Sequence, residues 1–267
     1  MFTAGVDLSA EPPGTAIASI EWSAERAVVR DLVLGADDSR VVAVADGADK
    51  VGIDCPLGWP VPFIEFISSH RDGRVEIPQG VAGRDWRRKL AFRMTDDAVR
   101  QLTGLIPLSV AADRIGHTAM RCAGLLAQLV LEGERVDRRG LGVVVEVYPA
   151  ASLKQWKLPY RGYKGTRNAA MLAGLVDVLV SAAPWLALGE FESLCRRSDD
   201  AFDAVVAAMT ARAALLDLVM TPSAEQSEVA AIEGWIAVPT AGSLPDLEPS
   251  SPPTARELRR PPFDPTG

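Results

Sequence analysis

Apolar runs that stop on an acidic residue recur along this chain. Phe2-Thr3-Ala4-Gly5-Val6 ends at Asp7, Val51-Gly52-Ile53 at Asp54, and Leu141-Gly142-Val143-Val144-Val145 at Glu146. Runs this short, flanked by turn residues, predict buried strands rather than helices. Residues 15–22 alternate apolar and polar and predict a second strand, and residues 26–34 a third. Pro12-Pro13-Gly14 and Ser23-Ala24-Glu25 supply turns, so residues 2–34 read as an antiparallel meander. Val41, Val42, Val44 and Ala45 predict a short helix over 37–48. A helix between strands implies a parallel crossover into the strand ending at Asp54. Prolines 56, 60 and 62 prevent that strand from continuing as a central one.

Farther on, residues 63–140 read as a mainly helical insertion whose clearest piece is a helix over 111–131. Residues 141–147 return to the sheet and 166–180 form another helix. Ser198 is placed to cap a helix running from Asp199 to about Met220, with acidic residues in its first turn where the dipole favours them. Residues 233–239 suit a terminal strand or a packed turn. The expectation is one α/β domain over 1–239, with a mixed five-stranded sheet flanked by helices. From Thr240 the chain is rich in Pro, Ser and charge, which predicts a poorly ordered tail over 240–267.

The acidic positions suggest chemistry. Open α/β sheets bind ligands at the carboxyl ends of their strands, where Asp7, Asp54 and Glu146 fall. Asp203 joins them from the late helix, sharing a face with Asp200 at i, i+3 and with Asp199 at i, i+4. Converging carboxylates repel unless a cation holds them, which points to a divalent-metal site. For each acid the bland alternative is a solvent-facing strand end or helix cap, and Asp199 suits the cap best. His70 and His117 have no partner at metal-ligand spacing and read as structural or surface residues.

Charge and cysteines narrow the picture. The net charge of −7 disfavours a general nucleic-acid coat. Two basic stretches run against it: Arg84, Arg87, Arg88, Lys89, Arg93 and Arg100, then Lys154, Lys157, Arg161, Lys164 and Arg167. An acidic pocket between them suits a phosphate-bearing substrate, with Lys164 and Arg167 as candidate phosphate contacts and Trp59 or Tyr148 as bases' stacking partners. Packing under the loops is the simpler explanation of both aromatic residues. Cys55, Cys122 and Cys195 are widely spaced and odd in number, which fits a reduced cytoplasmic setting. No apolar run reaches the roughly 18 residues of a membrane span, and the first residues do not read as a secretory leader.

Five ordered segments carry a resemblance: Gly5-Val6-Asp7-Leu8-Ser9, Ile53-Asp54-Cys55-Pro56-Leu57-Gly58, Arg93-Met94-Thr95-Asp96, Glu146-Val147-Tyr148-Pro149 and Asp200-Ala201-Phe202-Asp203-Ala204. With Glu233-Gly234-Trp235-Ile236 they resemble the family called domain of unknown function 429, described as predicted nucleases of the RNase H-like fold. The Asp200–Thr210 stretch is also similar to the final catalytic helix of Holliday-junction resolvases of that superfamily. The resemblance implies a metal-dependent nuclease acting on DNA or RNA with two Mg²⁺ or Mn²⁺ ions. Asp7, Asp54, Glu146, Asp200 and Asp203 would be the ligands, and all but Asp200 catalytic. It also brings Arg93 and Asp96 near the site, as a phosphate contact or as a buried pair holding the insertion to the sheet. Two other functions compete. One is a nucleotide-binding module, which the poor phosphate cradle Ser9–Gly14 disfavours. The other is a catalytically silent module whose helical insertion binds a partner protein.

Overall fold

The computed structural model describes residues 1–249. Its first three strands are the expected meander: β1 (Phe2–Asp7), β2 (Ala16–Trp22) and β3 (Ala27–Leu34). Helix α1 (Asp38–Asp46), capped by the Asp37 carboxylate on the Arg40 amide, crosses to β4 (Lys50–Asp54), which pairs parallel with β1. Four helices precede the next strand: α2 (Val61–Arg71), α3 (Gly83–Ala91), α4 (Met94–Thr103) and α5 (Ile115–Leu131). Then come β5 (Val144–Glu146), parallel to β4, α6 (Pro149–Gln155) and α7 (Ala169–Ala182).

A sixth strand, β6 (Leu186–Ala187), corrects the expected count of five. It pairs parallel with β3 and completes a mixed sheet of order β5-β4-β1-β2-β3-β6. Two residues are too few to leave a periodic signal. Among the described residues, the later helices are α8 (Glu192–Cys195), α9 (Asp199–Leu215) and α10 (Ser227–Glu233). Residues 235–238 do not form a continuous strand, but Ile236 bridges Glu146 and the Ala237 amide donates to the Glu146 carbonyl at 2.8 Å.

Period-two alternation decides what each sheet face meets. Ala4 and Val6 of β1 and Val51 and Ile53 of β4 pack with α1 and α5. The intervening Gly5 and Gly52 sit side by side and face α9. A Cβ on Gly5 would lie 2.1 Å from the Ala204 carbonyl, and one on Gly52 would lie 2.5 Å from that of Ala207. The glycines and the alanines of α9 thus let helix backbone rest directly on sheet backbone. Helix α9 is buried from Ala201 through Ala213, as a helix apolar on every side should be.

The segment expected as a tail is packed as far as it is described. Leu244 and Leu247 enter the large core beside α7 and α9, and the Gly242 amide donates to the Gln155 carbonyl at 2.8 Å. Residues 250–267 of that expectation lie outside the described residues. Among the described residues, no helix is long and apolar enough to cross a membrane.

Candidate functional site

Asp7 and Asp54 are register partners at the ends of β1 and β4. By the same alternation that turns Gly5 and Gly52 toward α9, both carboxylates project on the α9 face. The Ser198 hydroxyl accepts from the Ala201 amide at 3.2 Å and starts α9 where expected. One turn in, α9 delivers Asp203, 0% exposed, against the two strand ends, with Asp200 half-buried beside it.

A loop between α6 and α7 completes the cluster. The Tyr163 hydroxyl donates to Asp203 Oδ1 at 2.8 Å, and its ring meets Phe202 edge-on at 5.8 Å. The Lys164 ammonium lies 2.6 Å from Asp203 Oδ2. That oxygen is buried and accepts no aligned hydrogen bond, so the lysine pairs with it by charge. The Gly165 amide donates to Asp199 Oδ2 at 3.2 Å and ties the loop to the first turn of α9. Asp199 therefore serves the loop, while the cap of α9 is Ser198.

Burial and mutual repulsion dominate the electrostatics. Burial, followed by the charges of Asp203 and Asp54, holds the Asp7 proton affinity well above the ordinary carboxylate range. Burial pushes Asp54 up to about 7, with Asp203 and Glu146 adding to the shift and Lys164 opposing it. Asp203 is also raised by burial against the pull of Lys164, and Asp200 by burial and Asp199. Lys164 loses affinity to burial but gains more from Asp203, Asp54 and Asp7, so it stays charged. Three carboxyls thus share one ammonium.

Glu146 stands apart for a reason of register. It is level with Ile53, not Asp54, so it turns toward the opposite sheet face. Both its oxygens are engaged there: Arg93 donates to Oε2 at 2.8 Å and to Oε1 at 2.7 Å, and the Leu57 amide donates to Oε2 at 2.9 Å. Arg93, 1% exposed, also binds Asp96 Oδ1 at 2.9 Å and the Glu233 carbonyl at 3.1 Å. Arg93 is therefore the buried pair that holds the insertion to the sheet and has no face for a substrate phosphate. Glu146 borders the cleft as part of that anchor.

The cleft over the acids encloses about 600 Å³. Lys164 and Arg161 reach it, whereas Arg167 sits exposed in a turn and does not line it. In the earlier basic stretch, Arg88 pairs with Asp97, and Arg84, Arg87 and Lys89 are exposed on α3. His70 and His117 are exposed; Trp59 packs on the core, while Tyr148 lines the cleft. Sequence reasoning missed Tyr163, whose place one residue before Lys164 in an acid-poor stretch was the available signal. It also missed the apolar wall formed by Leu105, Ile106 and Leu108.

The donor set suits a hard cation: oxygen ligands at two adjacent strand ends and one helix, one of them a buried oxygen without a hydrogen bond. Among the described residues no three His, Cys, Asp or Glu side chains form a group that could hold a metal ion as they stand. Lys164 supplies the positive charge beside Asp203.

Fold and site define a class: an α/β protein with a mixed sheet and an acidic cleft at the ends of its parallel strands. Within that class the chain belongs to the family described as "Protein of unknown function (DUF429)", which matches residues 5–227. No curated protein and no solved structure matches the chain.

Proposed function

We propose that the cleft is the active site of a divalent-metal-dependent phosphodiesterase acting on nucleic acid, on a sheet of RNase H-like type. The observation that carries this reading is the meeting of Asp7, Asp54 and Asp203 on one face of the sheet, with a single ammonium among them. The fold part of the reading is supported by an antiparallel meander flanked by the parallel β4 and β5, with α9 laid across β1.

Asp7, Asp54 and Asp203 would hold Mg²⁺ or Mn²⁺, with Asp200 at the rim. When bound, the ion would lower the proton affinity of a water and neutralise charge on the phosphate and leaving oxygen. The chain's own residues do the rest. Tyr163 fixes the rotamer of Asp203 through its hydroxyl. Lys164, half-exposed beside Asp203, would be the group to hold a phosphate oxygen. Arg161 at the mouth supplies a second positive charge. Glu146 and Arg93 keep the strand-exit turn at Leu57 in place and contact neither ion nor phosphate.

The test is hydrolysis of single-stranded, branched and RNA substrates in Mg²⁺ or Mn²⁺ by wild type, Asp7→Asn and Asp203→Asn. Loss of about 10–100-fold or more in either variant is expected, since even an outer-shell partner of a metal site is worth about that much. Activity untouched in both sinks the assignment. One observation favours a second reading, a catalytically silent module that binds a protein partner: Lys164 already pairs with Asp203. Absence of Mn²⁺ binding by calorimetry, together with absence of hydrolysis, would support that reading.

A further inference from the structure

The cleft that holds the acids also has a lining of a different character. Leu105, Ile106 and Leu108, from the segment after α4, stand there with Ile115, Tyr148 and Ile236. Ile106 is 57% exposed and Leu108 55%. An isolated exposed Leu or Ile needs no explanation, but these two sit together on the lip of the cleft. Their segment is held in shape: the Leu105 amide donates to Thr103 Oγ1 at 3.0 Å, the Ser109 amide to Asp113 Oδ2 at 2.8 Å, and Ser109 Oγ to the Ala91 carbonyl at 2.5 Å. The wall is therefore displayed on a fixed loop.

A duplex offers phosphates and sugars to its surroundings and keeps base faces stacked inside, so it would give these side chains little to cover. The cations in the cleft are Lys164 and Arg161, too few to track a long backbone. The volume of about 600 Å³ lies in the range of small-ligand sites, roughly 300–1,000 Å³. Apolar side chains sharing one cleft with Lys164 and Arg161 match one nucleotide with its base out of the stack.

Resting on the phosphodiesterase reading, we infer that the cleft takes a single unstacked nucleotide, its phosphate at Lys164 over the acids and its base against Leu105, Ile106 and Leu108. The substrate is then a single strand or a strand end, not an intact duplex.

The experiment measures equilibrium binding in Ca²⁺ of a labelled tetranucleotide, its base-free sugar–phosphate counterpart and a short duplex. Nucleoside monophosphate serves as competitor. Tetranucleotide binding about tenfold tighter than either other probe is expected, the effect of seating roughly one base. An Ile106→Ser, Leu108→Ser double variant should lose that tenfold preference and keep its affinity for the base-free backbone. Both positions are exposed, so the fold is retained, which circular dichroism verifies. Competition by monophosphate near the tetranucleotide's own affinity is expected of a one-nucleotide cleft, and failure to compete overturns it. Equal binding of duplex or base-free backbone overturns the inference, as does a double variant with unchanged preference. Mn²⁺ calorimetry on wild type and Asp7→Asn separates the two claims. Mn²⁺ binding abolished by Asp7→Asn without base preference leaves the phosphodiesterase and removes the wall's role. Base preference without Mn²⁺ binding leaves a nucleotide-binding cleft and removes the metal chemistry.

Discussion

Asp54 keeps its proton up to about pH 7 because burial, and then its acidic neighbours, penalise its charge. An unfolded aspartate titrates near about 4, so between these values the folded chain binds the extra proton. Its stability must then fall as pH rises through that window. Melting temperatures of the metal-free protein should decline from about pH 4 to about pH 7, and Asp54→Asn should flatten the decline. A rise over that window in wild type would contradict the electrostatic account. Lys164 works in the other direction. Lys164→Met leaves three buried acids without their cation, and, because the ammonium is half-exposed, should cost only about 1–2 kcal/mol at neutral pH by urea denaturation. The same variant should bind Mn²⁺ more tightly than wild type by calorimetry, since no side chain then competes for Asp203. Weaker binding would mean that Lys164 assists the ion instead of standing in for it.

At the scale of elements, α9 is held to β1 and β4 by backbone proximity, so the tolerance there is below the size of a methyl group. Gly5→Ala should destabilise by about 1–3 kcal/mol or more in urea denaturation, as overpacked cores do. Arg93→Met, which leaves Glu146 and Asp96 buried without a partner, should cost roughly 3–5 kcal/mol. The helix itself was legible in the sequence: Ser198 as cap, acids in the first turn, small residues throughout. So were the meander and the two strand-end aspartates, because a short apolar run stopping on a charge carries its own boundary. Glu146 looked the same in one dimension. Its different fate comes from register, since pairing with Ile53 reverses the face, and register between distant strands leaves no mark in either strand alone. The wall at 105–108 was illegible for a related reason: nothing local says which side of a loop will face a cleft.

For the whole molecule, the described end of the chain is a working part of the core. Ending the chain at Pro239 removes Leu244 and Leu247, each worth about 1.5–3 kcal/mol of burial, and should lower the melting temperature markedly without touching the acids. The last helix exerts a similar long reach. The Glu233 carboxylate accepts from the Val61 amide at 2.8 Å and from the Met94 amide at 2.7 Å, so one side chain closes the amino ends of α2 and α4. Those partners lie 172 and 139 positions earlier in the chain. During synthesis, the helical segment that carries the cleft wall is therefore made long before the residue that fastens it. The first four strands can assemble while that segment is still unlatched, and the mouth of the cleft takes its final shape only once Glu233 has been made.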